Sequence, residues 1–134
     1  MGYSYYDDSS GGALAWGRDN YGQLGSVETT SDQYTPVEVS GNYIFSAIAG
    51  GYSHTCGIED ITGAAYCWGY GGNGRLGNGT TSKSTTPSLV LGEHTFSTIS
   101  AGYRHTVGLS LNTTFTMPAW WRAIQEVLMG WMIM

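Results

Sequence analysis

The chain repeats itself, and no other property of its sequence narrows the fold as much. Trp16-Gly17 recurs as Trp68-Gly69, and Tyr21-Gly22-Gln23-Leu24-Gly25 returns as Asn73-Gly74-Arg75-Leu76-Gly77, both at an offset of 52 residues. Further along the offset is 51: Pro36 pairs with Pro87, Phe45 with Phe96, Ile48 with Ile99, and Gly51-Tyr52-Ser53-His54-Thr55 with Gly102-Tyr103-Arg104-His105-Thr106. A period of about 50 residues with glycine-rich punctuation fits propeller blades better than a helical solenoid, whose units are mostly shorter and carry an apolar stripe at helical spacing. Here the apolar residues alternate in twos.

That alternation predicts four short strands, Thr35–Val39, Phe45–Gly50, His54–Ile58 and Ala64–Trp68, forming one antiparallel blade from Tyr34 to Gly69. The tight turn Glu59-Asp60-Ile61-Thr62-Gly63 has Asp early and Gly late, as a hairpin closed by a left-handed residue requires, and its counterpart is Asp7-Asp8-Ser9-Ser10-Gly11. Composition agrees: 21 of 134 residues are Gly and only 11% are charged, which excludes a helical bundle and a charged disordered tail. A net charge of −5 without a Lys/Arg cluster predicts no direct binding to nucleic acid, whose phosphates demand cations.

Trp-Gly followed by Gly-Gln/Arg-Leu-Gly, then Pro, then Phe-Ser-x-Ile-x-x-Gly-Tyr-x-His-Thr, then Tyr-Cys-Trp-Gly, resembles the regulator of chromosome condensation repeat family over residues 11–109. The resemblance implies a β-propeller, with about seven such repeats closing a ring. Trp16, Gly17, Leu24, Gly25, His54, Trp68, Gly69, Leu76, Gly77 and His105 are then its structural repeat positions. Some members of the family promote guanine-nucleotide exchange on a small GTPase; others bind chromatin or regulate ubiquitin ligases or membrane traffic.

The expected class is all-β, a partial propeller with a C-terminal amphipathic helix. Residues 1–10 are expected to complete a partial blade, 11–109 to hold one whole blade between two partial ones, 110–117 to link, and 118–134 to form the helix. This is short of the roughly four to eight blades of a ring. The remainder comes from a longer propeller or from further copies, or is missing from a degenerate product.

In the tail, Trp120, Ile124, Val127, Leu128 and Trp131 fall on one helical face; Pro118 suits a first turn, and Arg122 and Glu126 can pair. This helix is expected to fold back over the open blade. The alternatives are a partner-docking or membrane-surface helix, although the single Arg makes membrane contact unlike that of basic surface helices, and a tail with no selected role. Neither a secretion leader nor a membrane span is expected, which favours the cytoplasm.

No catalytic set emerges. His54 and His105 recur in every copy, which points to a blade-building role through a hydrogen bond to nearby backbone; His94 stands alone in a polar loop. No metal or cofactor site is expected, because none of the three has ligand-spaced neighbours. Gly69 to Gly74 is not followed by Lys-Ser/Thr and reads as a tight loop rather than a phosphate cradle.

Cys56 and Cys67 lie at equal distances from the turn, so they face each other either as a cross-strand disulfide or as two buried thiols. Ala15 and Val107 hold the matching positions. A disulfide would place the chain in an oxidising, extracellular-type compartment, where the sequons at Asn78 and Asn112 would also matter.

The primary expectation is a noncatalytic module for protein–protein interaction, with Arg18, Asp19, Tyr21, Arg75 and Arg104, and the variable loops Val27–Gln33 and Asn78–Ser84, exposed to a partner. The alternatives are nucleotide exchange on a small GTPase, which the resemblance implies, and a blade pair that assembles with copies of itself through open edges.

Overall fold

The computed structural model describes residues 12–27, 30–111 and 119–133. The expected partial blade at 1–10 with its turn at 7–11, the sequon at Asn112, the linker from 112 onward and the helix-starting Pro118 lie outside the described residues. Eight strands precede one helix: β1 (Leu14–Gly17), β2 (Gln33–Glu38), β3 (Phe45–Gly50), β4 (His54–Glu59), β5 (Ala65–Gly69), β6 (Ser84–Leu89), β7 (Phe96–Ala101), β8 (Thr106–Ser110) and α1 (Ala119–Ile133).

They form three antiparallel sheets, ordered β1-β2, β3-β4-β5-β6 and β7-β8. The middle sheet is one complete propeller blade, and the outer two are the last half of one blade and the first half of another. Its membership corrects the sequence reading. The strand at 33–38 pairs with β1, not with β3, and the fourth strand of the middle blade is β6, which follows the long Trp-Gly loop. Short connections usually join paired strands, but 39–44 is a crossover between sheets. Ser40 N–H to the Gly25 carbonyl (2.9 Å) pins it, as Leu91 N–H to Gly77 (2.9 Å) pins the next one. Pro36 and Pro87 sit in β2 and β6, each the outermost strand of its sheet, where a missing N–H costs no ladder bond.

The core lies where the middle sheet meets its neighbours: Cys56, Cys67 and Leu76 are fully buried, with Val90 and Ile99 packed against them. Equivalent positions in the outer sheets are bare. Trp68 is 0% exposed and Trp16 64%; Cys56 is 0% and Val107 54%; Ile58 is 2% and Leu109 61%. The same residue types at the same register are thus core in the middle and surface at both ends, because a blade buries its faces only against neighbours.

The helix occupies its expected span, but its described apolar side chains, Trp120, Ile124, Val127 and Leu128, are exposed rather than folded onto the open blade. An amphipathic stripe calls for an apolar surface without specifying which one. Trp131 and the Arg122–Glu126 pairing lie outside the described side chains. Among the described residues no helix is long and apolar enough to cross a membrane.

Candidate interaction face

His54 pairs with Gly69 across β4 and β5, so the β3–β4 turn and the loop leaving β5 emerge at the same end of the sheet. The loop leaving β1 and the β7–β8 turn emerge there too. Together they form a continuous loop face. The Tyr52 and Tyr103 rings stack at 4.1 Å with 25° between planes, and both are more than half exposed. Arg104 lies over Tyr103 at 5.4 Å, and Tyr21 meets Tyr70 at 4.8 Å.

Arg75 ties these loops together. Its Nε donates to the Gly72 carbonyl (2.8 Å), one terminal nitrogen to the Tyr103 carbonyl (2.9 Å) and the other to Asn73 Oδ1 (2.9 Å), and its guanidinium lies over the Tyr70 ring at 4.6 Å. It is buried, so the expectation that it is exposed is corrected. Asp19 is corrected likewise. It is fully buried, its carboxylate accepts the Leu24 N–H (2.9 Å), and its own N–H donates to Asp32 (3.0 Å). Burial, followed by the nearby Asp32 charge, holds its pKa above the usual carboxylate value, against the lowering effect of the Leu24 bond. Charges are mostly on the surface, which is why both read as exposed in the sequence.

Arg18 and Arg104 are exposed and Tyr21 is half-buried. The loop at 30–33 and that at 78–84 are largely exposed. What sequence reasoning missed is Tyr52, whose exposed ring stacks on the next repeat; its recurrence as Tyr103 was the available signal.

Beneath this face the blades are joined by one bonding pattern used twice. Thr55 Oγ1 donates to the Gln23 carbonyl and Thr106 Oγ1 to the Arg75 carbonyl, each at 2.8 Å. His54 Nε2 lies 2.9 Å from Thr106 Oγ1. The Thr106 proton is committed to Arg75, so Nε2 must donate, and neutral His54 carries its hydrogen there. The hydroxyl of the next repeat is thus a partner of the ring, beside a backbone hydrogen bond with His105. Burial first, then the Arg75 charge, lowers the His54 pKa. His105, at the end of the array, is exposed.

The structure joins Cys56 and Cys67, directly opposed in β4 and β5 with Cα atoms 4.1 Å apart, in a disulfide. Leu24 and Leu76 are both buried, and Gly25 has a left-handed φ of +75° at a point where a Cβ would fall 2.7 Å from the Trp68 indole nitrogen. Among the described residues no group of three His, Cys, Asp or Glu could hold a metal ion.

One four-stranded blade flanked by two half-blades, joined by interlocking loops, defines a propeller-repeat protein. The comparisons name the family. The regulator of chromosome condensation (RCC1) repeat matches residues 10–58 and 62–109, and the chain belongs to that repeat family. It is 40% identical over 85 residues to the probable E3 ubiquitin-protein ligase HERC4 of Homo sapiens, covering 61% of this chain and 8% of that protein. It is 30% identical over 114 residues to the ultraviolet-B receptor UVR8 of Arabidopsis thaliana (82% of this chain, 26% of the receptor). With the regulator of chromosome condensation of Xenopus laevis it shares 31% over 104 residues (75% and 24%).

Among solved structures, human WBSCR16 superposes with a TM-score of 0.66 at 23% identity, over 80% of this chain and 28% of that one. Prp20p from Saccharomyces cerevisiae gives 0.64 at 20%, over 87% and 30%. The chain thus spans under a third of each relative.

Proposed function

We propose that this chain is a noncatalytic RCC1-repeat module that binds a protein partner through the loop face carrying Tyr52, Tyr103, Arg104 and Arg18. The observation that carries the reading is the exposed Tyr52–Tyr103 stack, capped by Arg104 and anchored from below by buried Arg75. Tyrosine and arginine on a preorganised backbone are the residue types that dominate protein interfaces, since they bring area and hydrogen bonding at low entropic cost. The ligase activity of HERC4 supports no catalytic reading, because the shared stretch is a small part of that protein.

A second reading rests on Prp20p, whose structure was described together with its binding to Gsp1p and histones. By analogy, a small GTPase is a candidate partner, with nucleotide exchange as the corresponding activity. Binding of the chain to a small GTPase and to core histones, measured beside the rate of fluorescent GDP release, tests both readings. The expected result is association weakened at least tenfold by Tyr103→Ser with Arg104→Ser, and release at the buffer rate. Faster release would end the noncatalytic reading, and binding indifferent to both substitutions would remove the loop face from it.

A further inference from the structure

Trp68 fills a socket between blades. Gly25 is its floor and Phe45 its wall, with ring centroids 5.6 Å apart, and Gly57 presses on Phe45, so that a Cβ there would sit 2.6 Å from the ring. One repeat further on, Gly77, Phe96 and Gly108 stand in the same relation and line a cavity of about 290 Å³ together with Leu76 and Thr106. Among the described residues no tryptophan lines this second socket. Trp120, the next in the chain, stands on α1 and is 64% exposed.

A fitting insert is preformed at the opposite end of the molecule. In β1, Leu14, Ala15 and Gly17 pair with Glu38, Val37 and Gln33; in β5, Tyr66, Cys67 and Gly69 pair with Leu89, Ser88 and Ser84. Both ribbons shift register at the tryptophan, and Gly17 (φ +107°) repeats the backbone of Gly69 (φ +104°). The β1–β2 ribbon is therefore a copy of the β5–β6 ribbon with its tryptophan uncovered. Among the described residues β1 pairs only with β2, and β8 only with β7. β8 matches β4, the strand on which β5 sits.

We propose that Trp16 of a second copy enters the Gly77–Phe96–Gly108 socket, as its β1–β2 ribbon adds to the edge of β8 in the register that joins β4 to β5. The chain's own middle blade is the template for this joint, and the apolar residues left bare, Leu14 and Trp16 at one end, Val107 and Leu109 at the other, are the two halves of it. The contact is head-to-tail, so it either closes or propagates. Each joint completes one blade; counted over the described strands, each copy then contributes two, so rings of about four to eight blades correspond to two, three or four copies.

The native disulfide supplies the test, because Val107 and Ala15 occupy the positions of Cys56 and Cys67. V107C and A15C chains are mixed, oxidised with glutathione disulfide and run on non-reducing gels. The expected result is a covalent dimer at least tenfold above either variant alone, and a head-to-tail series for the double variant. Trp16→Ala should abolish the cross-link and reduce the light-scattering mass to one chain, whereas Trp120→Ala should change neither. Trp16 is exposed, so its variant should keep the wild-type circular dichroism and the Cys56–Cys67 bond. Absence of the cross-link, equal cross-linking in the single variants, or loss with Trp120→Ala in place of Trp16→Ala would overturn the proposal.

Discussion

Replacing Thr106 with valine removes one hydroxyl and disturbs two blades. The hydroxyl donates to the Arg75 carbonyl and accepts from His54, whose ring is 1% exposed. Valine keeps the shape, so no cavity opens; what remains is a buried N–H without an acceptor and a carbonyl without its donor. An unmet buried group costs about 1–3 kcal/mol and a lost ordinary bond about 1, which sums to about 2–4 kcal/mol for Thr106→Val. Among the described residues Thr55→Val loses only the bond to the Gln23 carbonyl and should cost about 1 kcal/mol.

Urea denaturation of both variants under non-reducing conditions, with unchanged slopes, measures the difference. If Thr106→Val costs no more than Thr55→Val, the His54–Thr106–Arg75 chain is not what joins the blades. The same reasoning sets a pH dependence. A histidine whose folded pKa is depressed below 6.5 binds fewer protons folded than unfolded, so stability is full above 6.5 and falls as pH drops below it. His54→Gln, which keeps a donor toward Thr106, should flatten that fall between pH 7.5 and 5.5; an unchanged slope would assign it to other groups.

Reducing the Cys56–Cys67 bond, which closes a separation of 11 residues, should cost about 3 kcal/mol by chain entropy, read as a lower urea midpoint with reductant; an unmoved midpoint would count against it. Gly25→Ala and Gly77→Ala share left-handed strain of about 1–2 kcal/mol (φ +75° and +64°), but only the first drives a methyl group into the Trp68 indole. Gly25→Ala should therefore cost about 1–3 kcal/mol more in dilute solution, and equal losses would mean that the filled and open sockets do not differ.

The residues that were legible in the sequence are those whose environment repeats locally. Phe45–Gly50 alternates cleanly and is a strand with those bounds, and the near-symmetry of Cys56 and Cys67 about their turn points to the β4–β5 register that the structure shows. What was not legible depends on where the chain goes after leaving a strand. The 14 residues between β5 and β6 fold back through a 3₁₀ turn at Gly72–Gly74, so distance in sequence hid a direct pairing. Asp19 and Arg75 are charged residues that bond largely to loop backbone groups, and such bonds have no sequence signature. The α1 stripe was visible, but its target was not.

The first family match, 10–58, ends within β4, an interior strand of the middle sheet, and the second, 62–109, ends within the matching strand β8, so the unit that recurs in the sequence is two strands out of step with the unit that folds. A duplication or deletion of one whole period, wherever its breakpoint falls, rejoins a strand to the same neighbour it had before. The number of blades can then change in a lineage without any new packing surface having to be invented, and a gene for such a chain can lengthen or shorten by recombination while every internal seam stays the same.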